Sequence, residues 1–236
     1  MKVIADLHTH SLASDHAYST LLENVLHASK IGLEVLALTD HAPALIDAPH
    51  MWHFSTMKST LPKYIEGVRI LSGVELNILD FDGNIDLPDN ILKNLDVVIA
   101  SCHESVLSAG SIEEHTKMWL NIAKNPLIKI IGHSGNPIYS YNVEAVIKEF
   151  KKYEKIVEIN AHSVISRKGS EKNCLEIAKM CKKYEVPIVV NSDAHIALSV
   201  GDVNWSMELL KSIDFPSHLN LSLNKEDLFK HLSIKN

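Results

Sequence analysis

The sequence DLHTH at residues 6–10 places two imidazoles, His8 and His10, at the end of a short apolar segment, and DAH at residues 193–195 ends another apolar segment in a similar way. Side chains two residues apart point to the same face of a β-strand. Each pair can therefore grip one ion, because imidazole and carboxylate are ligands that divalent metals prefer. These segments predict strand ends that carry metal ligands.

Residues of the same kind follow most of the other apolar segments. The full set of candidate metal ligands is His8, His10, His16, His41, Glu75, His103, His133, Asp193 and His195. Nine ligands are too many for one ion and suit a cluster of two or three ions, and such clusters hydrolyse phosphate esters. A lone histidine at a strand end is an ordinary polar residue, but a chance arrangement would not keep to the same end of the strands.

Seven short apolar segments alternate with amphipathic ones, which predicts a parallel sheet with crossover helices. The predicted strands are Val3–His8, Val35–Thr39, Arg69–Glu75, Val97–Cys102, Ile128–Gly132, Ile156–Asn160 and Ile188–Asn191. Ligands from strands far apart in an open sheet could not meet, whereas the carboxyl ends of barrel strands ring one mouth. We therefore predict an α/β fold, a distorted TIM-like (βα)7 barrel, as a single domain over residues 1–236.

The amphipathic segments predict the helices between these strands. One of them is predicted over Met57–Gly67, and a terminal helix over Asn224–Ile234 is expected to pack on the outside of the barrel.

The composition narrows the class of protein. The chain has 236 residues, 46% of them hydrophobic, and a net charge of −6, which argues against a general basic surface for nucleic acid. Its three cysteines lack zinc-finger spacing and are expected to be buried thiols, as suits a reducing compartment. The N-terminus has no signal-peptide layout, and no apolar run approaches the roughly 18 residues of a membrane span. We expect a soluble cytoplasmic protein without a membrane partner.

The ordered series of nine candidate ligands resembles the PHP (polymerase and histidinol phosphatase) family, most closely its YcdX-type branch of small phosphatases. The resemblance runs from the first residues to the region of Leu221, and all nine positions match. It implies a PHP domain with a distorted (βα)7 barrel, a trinuclear metal centre usually described as zinc, and phosphoester hydrolysis. It also suggests a homo-oligomer, such as a trimer.

The family pattern implies how the ligands are shared. One ion would be held by His8, His10, Glu75 and Asp193. A second would be held by Glu75, His103 and His133, with Glu75 as the bridge. A third would be held by His16, His41 and His195. Such ligand sets accept Mn²⁺ and Fe²⁺ as well as Zn²⁺.

These features predict a metal-dependent phosphatase acting on small phosphomonoesters, with a hydroxide shared by two ions as the nucleophile. A phosphodiesterase or nuclease on the same metal site is one alternative, although the negative net charge disfavours long nucleic acids as partners. A non-enzymatic metal-binding protein is another, and the intact ligand set counts against it. A metal-dependent amidohydrolase is weaker, because those enzymes often carry a ligand lysine at a strand end and no predicted strand here ends in lysine.

Several other residues are candidates for roles near the metals. His53, in the loop after the second strand, is a candidate general acid. Arg167 and Lys168 follow the sixth strand and are candidates for phosphate contacts, to which an arginine fork is suited. His162 is a candidate for lining the mouth of the barrel. Asp6 and Asp40 lie beside ligands and are expected to orient imidazoles, with a plain structural role as the alternative.

Overall fold

The computed structural model describes residues 2–234, and its strands form one sheet that curves into a nearly closed barrel. Seven strands are parallel and follow the order β1-β2-β4-β5-β6-β7-β8, while β3 pairs antiparallel with β4. The strands are β1 Ala5–Asp6, β2 Val35–Leu38, β3 Tyr64–Ile65, β4 Val68–Asn77, β5 Val97–Ser101, β6 Ile130–Ile131, β7 Ile156–Asn160 and β8 Ile188–Asn191. The predicted distorted (βα)7 barrel is confirmed.

Helices surround the barrel. They are α1 Leu21–Ile31, α2 Trp52–Thr60, α3 Asp89–Leu92, α4 Ile112–Lys124, α5 Val143–Lys152, α6 Ser163–Ser166, α7 Ser170–Tyr184, α8 Asn204–Ser212 and α9 Lys225–Leu232. Capping boxes fix the start of α1, between Thr20 and Glu23, and of α4, between Ser111 and Glu114. Within residues 2–234, no helix is both long and apolar enough to cross a membrane.

The predicted helix over Met57–Gly67 is wrong in position. The observed α2 ends at Thr60, because Pro62 cannot continue a helix. The chain then forms a hairpin, in which Glu66 and Gly67 take positive φ values of 48° and 79° between β3 and β4. Positive φ at both central residues is the geometry of a tight two-residue β-turn.

The barrel interior is filled by alternate residues of the strands, among them Leu7, Leu71 and Ile99. The same apolar cluster includes Leu228 and Phe229 of α9, so this helix covers the amino-terminal end of the barrel. The expectation that it packs on the outside is therefore wrong. An amphipathic pattern shows that one face is buried but not against what. Burying each of these two side chains contributes about 1.5–3 kcal/mol.

The barrel closes through a seam between β1 and β8 that is not a regular ladder. The seam has one isolated bridge, between Thr9 and Ala194. Toward the amino-terminal end of the barrel, the segment around Ser222 lies between the two strands. Its carbonyl oxygen accepts from the amide of Ile4 at 2.9 Å, and its hydroxyl oxygen accepts from the amide of Val190 at 2.9 Å. This insertion in place of an eighth parallel strand is the distortion of the barrel.

A larger apolar layer packs between the outer face of the strands and the helices. Trp119 of α4 and Phe150 of α5 are among its largest fully buried side chains. The three cysteines, Cys102, Cys174 and Cys181, are free and buried, as expected from the sequence.

Candidate metal centre

Four side chains from the ends of β1, β4 and β8 converge at the carboxyl end of the barrel. His8 Nε2 lies 3.3 Å from Glu75 Oε2 and 3.5 Å from Asp193 Oδ1. His10 Nε2 lies 3.7 Å from Glu75 Oε2 and 3.2 Å from Asp193 Oδ1. Four atoms bound at about 2.0 Å around a tetrahedral ion lie about 3.3 Å apart. The spacing therefore fits the coordination shell of one ion.

The Glu75 carboxylate divides its two oxygens between two groups of imidazoles. Oε2 faces His8 and His10, and it also lies 2.7 Å from His41 Nδ1. Oε1 faces the other group, at 3.3 Å from His103 Nε2 and 2.8 Å from His133 Nε2. A carboxylate placed in this way can bridge two ions, the arrangement of two-metal hydrolases.

The last three candidate ligands also come together. The ring of His16 lies 5.1 Å from that of His41 and 4.5 Å from that of His195, between centroids. His16 is half-exposed and its Nδ1 contacts Asp47. The ligand atoms of His41 and His195 form a compact group with His10 rather than with His16. His16 would have to approach this group to complete the third set.

Many polar atoms of this cluster lack a hydrogen-bond partner within the described residues. Of the eleven buried side-chain nitrogen and oxygen atoms without a hydrogen bond in residues 2–234, seven belong to predicted ligands. A buried polar atom without a partner costs about 1–3 kcal/mol, so such a concentration at one point calls for a shared partner. A divalent cation fits, because the donors are imidazoles and carboxylates without a lysine or arginine among them.

Hydrogen bonds on the far side of three rings fix which nitrogen faces the cluster. His8 Nδ1 donates to Glu158 at 2.7 Å, and His103 Nδ1 donates to Asn77 Oδ1 at 2.7 Å. His195 Nδ1 donates to the backbone oxygen of Asp193 at 2.9 Å. Each Nε2 then faces the cluster, and all three Nε2 atoms lack a hydrogen-bond partner within the described residues.

The two carboxylates of the cluster are held in the ionised form. Burial alone would raise the pKa of Glu75, but the surrounding imidazoles, His8 foremost, hold its pKa well below the ordinary value. Burial is likewise outweighed at Asp193, whose pKa is well below the ordinary value because of His8 and a hydrogen bond from His10. Ionised carboxylates are the form that binds metal.

Two imidazoles are held neutral, which is also the metal-binding form. Burial, with His41 nearby, lowers the pKa of His10 to about 3. Burial, with Arg167 nearby, lowers the pKa of His133 to about 4. At His8, attraction to Glu158 and Glu75 overcomes burial and raises the pKa well above the ordinary value, so a divalent ion would compete with a proton there.

Backbone strain also marks the cluster. His133 and Asp193 have positive φ values of 22° and 55°, which residues other than glycine rarely adopt. Such strain persists where a site over-determines the local geometry.

One further residue of the site, Glu158, was not predicted from the sequence; it is a buried carboxylate on β7 beneath the cluster. Its Oε1 accepts from His8 Nδ1 and, at 2.8 Å, from Asn191 Nδ2. Its Oε2 accepts from the amide of His133 at 2.7 Å and from Asn160 Nδ2 at 3.1 Å. The residue is two positions from Asn160 and shares its face of the strand, so two polar residues on one face of a buried strand were the available signal.

Asp6 and Asp40 do not orient ligand imidazoles as expected. Asp6 accepts from the Ser192 hydroxyl at 2.5 Å and from the amide of Gly201 at 2.8 Å, so it fixes the loop after β8. Asp40 accepts from the amide of Ser11 at 2.7 Å and lies 3.1 Å from His53 Nε2. Both buried carboxylates therefore order the loops that carry ligands.

A cavity of about 620 Å³ opens onto the metal centre. Besides ligands, it is lined by Glu104, Ser105, Asn136, His162, Ser166 and Arg167. Arg167 Nη2 lies 3.3 Å from Asp193 Oδ2, and the ring of His162 lies 6.1 Å from that of His195. Of the described residues, those that line the cavity do not include Lys168 or His53.

Comparisons with known proteins agree with this architecture. A family model described as the PHP domain matches residues 6–171. A probable phosphatase of Clostridium novyi (strain NT) is 47% identical over 236 residues, all of this chain and 96% of the relative. A probable phosphatase of Thermoanaerobacter sp. (strain X514) is 46% identical over 237 residues, again all of this chain and 96% of the relative.

Solved structures share the fold at low sequence identity. The histidinol phosphate phosphatase from Lactococcus lactis subsp. lactis Il1403, complexed with zinc, L-histidinol and phosphate, matches with a TM-score of 0.67 and 19% identity over 92% of this chain and 95% of that chain. A chain of archaeal ribonuclease P with mature tRNA matches with a TM-score of 0.61 and 13% identity over 97% of this chain and 90% of that chain. At these identities the likeness concerns the fold alone.

Proposed function

The chain belongs to the PHP domain family, and on that premise we propose that it is a metal-dependent phosphatase hydrolysing small phosphomonoesters. The observation that carries the proposal is the buried Glu75 carboxylate, whose two oxygens face two separate groups of imidazoles. Other predicted ligands, among them His41, His103 and Asp193, line an open cavity. The likeness to relatives named as probable phosphatases over the whole chain supports the same activity.

The proposed centre contains three divalent ions, most readily Zn²⁺, with Mn²⁺ or Fe²⁺ as alternatives. Its ligands are divided among the ions as the family pattern implies, with Glu75 shared by two of them. Bound there, the ions would neutralise charge on the phosphoryl group and make a water molecule acidic enough to act as the nucleophile. The solved histidinol phosphate phosphatase, which is complexed with zinc and phosphate, supports this choice of metal and ligand.

The residues around the centre would bind and orient the substrate. Arg167 lines the cavity beside Asp193 and would donate to phosphoryl oxygens, with Lys168 as a weaker candidate. His53 remains a candidate for protonating the leaving group, although its Nε2 is engaged with Asp40. His162 lines the cavity directly and is the second candidate for that role.

The cavity favours a small monoester over a nucleic acid. Its volume of about 620 Å³ suits a metabolite-sized ligand. Arg167 is its one lysine or arginine within the described residues, and Glu104 adds a negative charge at the wall. A polyanionic strand needs several basic contacts. The presence of all nine predicted ligands in the sequence also argues against a protein that only binds metal.

Phosphate release tests the proposal. Metal-reconstituted protein is incubated with p-nitrophenyl phosphate and with bis-p-nitrophenyl phosphate, beside a chelated sample and a Glu113→Gln control on the exposed start of α4. We expect release from the monoester that chelation abolishes and that the control retains. Release from the diester alone would favour the nuclease alternative, and no release from either by fully metallated protein would reject hydrolysis of these esters.

Two wider properties stay proposals. The three free cysteines support a reducing compartment such as the cytoplasm. The homo-oligomer suggested by the family resemblance is testable by analytical ultracentrifugation, in which a single monomeric species would reject it.

A further inference from the structure

A second cavity, of about 600 Å³, lies at the amino-terminal end of the barrel, opposite the metal centre. We call it the basal cavity. Its wall is formed by residues at the end of α2, the start of β4, the segment before β5 and the end of α9, including Lys58, Lys63, Arg69, Lys93, Asp96 and Ser233. It therefore joins four elements that are distant in sequence.

The basal cavity is strongly cationic in a chain whose net charge is −6. Four of its lining side chains are basic and one, Asp96, is acidic. Asp96 is already engaged, because its Oδ1 accepts from Lys58 Nζ at 2.5 Å and its Oδ2 accepts from the amide of Ser72 at 3.1 Å and the Ser72 hydroxyl at 3.0 Å. Within residues 2–234, no carboxylate lies within ion-pair distance of the other three cations, Lys63, Arg69 and Lys93.

Arg69 is the centre of this arrangement. Its side chain is 8% exposed, and its Nη1 donates to the carbonyl oxygen of Ile70 at 2.5 Å and to that of Lys63 at 3.3 Å. Its Nε is buried and has no hydrogen-bond partner within the described residues. A buried guanidinium without a counter-charge is costly, and its planar donors match the oxygens of a phosphate group.

We propose that the basal cavity binds a small anion of the phosphate type, either free phosphate or a phosphorylated metabolite. The Arg69 guanidinium would donate to its oxygens from the inner wall, and Lys63 and Lys93 would contribute charge from the exposed rim. This site is separate from the metal centre and does not depend on the proposed hydrolytic activity.

Isothermal titration calorimetry of the metal-loaded protein with inorganic phosphate tests this proposal. We expect one binding event that is lost in the double variant Lys63→Glu/Lys93→Glu. Both lysines are exposed, so the variant should fold, which circular dichroism checks. The matched control is Lys124→Glu, an exposed charge reversal on α4. Glu75→Gln separates this event from any phosphate bound at the metal centre.

The outcomes are distinct. An event kept by the Lys124→Glu and Glu75→Gln variants but lost with Lys63 and Lys93 supports the basal site. A titration in which no event depends on these two lysines, or no event at all, overturns it. Methylphosphonate then distinguishes the source of the ligand, because equal binding indicates an organic phosphate and binding of phosphate alone indicates the free ion.

Discussion

Replacing Glu158 by glutamine tests whether this buried carboxylate prepares the metal centre. The change keeps the shape of the side chain but puts an amide NH₂ where one oxygen accepts two hydrogen bonds. If the NH₂ faces His8 Nδ1, that nitrogen must become the acceptor. The proton of the ring then moves to Nε2, the atom that faces Glu75 and Asp193.

The expected magnitudes differ for folding and for metal binding. The donors left without an acceptor are Asn191 Nδ2 in this orientation, or the His133 amide and Asn160 Nδ2 in the other. They cost about 1–4 kcal/mol of unfolding free energy, at about 1–3 kcal/mol each with some relaxation. Partners that orient a ligand imidazole are typically worth about 10–100-fold in metal affinity. That factor corresponds to about 1.4–2.7 kcal/mol of binding free energy.

Both quantities can be measured on one pair of proteins. Zinc affinity is determined by competition with a chromophoric chelator, and unfolding free energy is determined on metal-free protein by urea denaturation. Glu113→Gln, an exposed carboxylate at the start of α4, is the control. The orienting role predicts that Glu158→Gln loses at least about tenfold in zinc affinity. A variant that loses stability but binds zinc within about twofold of the wild type would refute that role, and Glu158 would then be a structural residue.

Three further predictions concern the centre, the barrel interior and the cysteines. Glu75→Gln should retain fewer metal ions per protein than the wild type, measured by elemental mass spectrometry, because the change weakens the ligand that two ions share. An unchanged metal content would contradict the bridging role of Glu75. Gly132→Ala should lower the unfolding free energy, measured by urea denaturation, by about 1–3 kcal/mol, because the added Cβ would lie 2.7 Å from Ile99 Cγ2 and against the Ser101 hydroxyl. An unchanged denaturation midpoint would contradict this packing. The three cysteines should react slowly with a disulfide reagent at about pH 8 until denaturant is added, because burial raises the pKa values of their thiols, that of Cys174 to about 12. Fast labelling of the native protein would contradict their burial.

The strands and the converging ligands were accessible to sequence analysis, because both follow short-range rules. The alternation at His8 and His10 fixes which face they share, and parallel strands fix which end they reach. Glu158 was not found, since a single acidic residue within a strand is ordinarily taken for a solvated one. Its burial depends on partners such as Asn191, which is 33 residues away in the chain.

The two helices that were placed wrongly have different causes. Pro62 was a readable stop signal that the periodicity outweighed. The covering role of α9 was not readable, because its apolar face belongs to a cluster whose other members, such as Leu7 and Leu71, are far from it in the sequence. The basal cavity is likewise invisible in a composition with net negative charge, since its cations are spread along the sequence from Lys58 to Lys93.

The seam between β1 and β8 has a consequence for aggregation. An isolated bridge between Thr9 and Ala194 crosses it just beyond the two strands. Nearby, the amide of Leu7 donates to the Asn191 side chain, and the amides of Ile4 and Val190 donate to the segment at Ser222. Predicted ligands lie on both sides, with His8 and His10 after β1 and Asp193 and His195 after β8. A bound ion would therefore act as a staple across the opening. Without bound metal, the barrel would open more readily at this seam. The opening would expose the edges of two strands, which are templates for pairing with other chains.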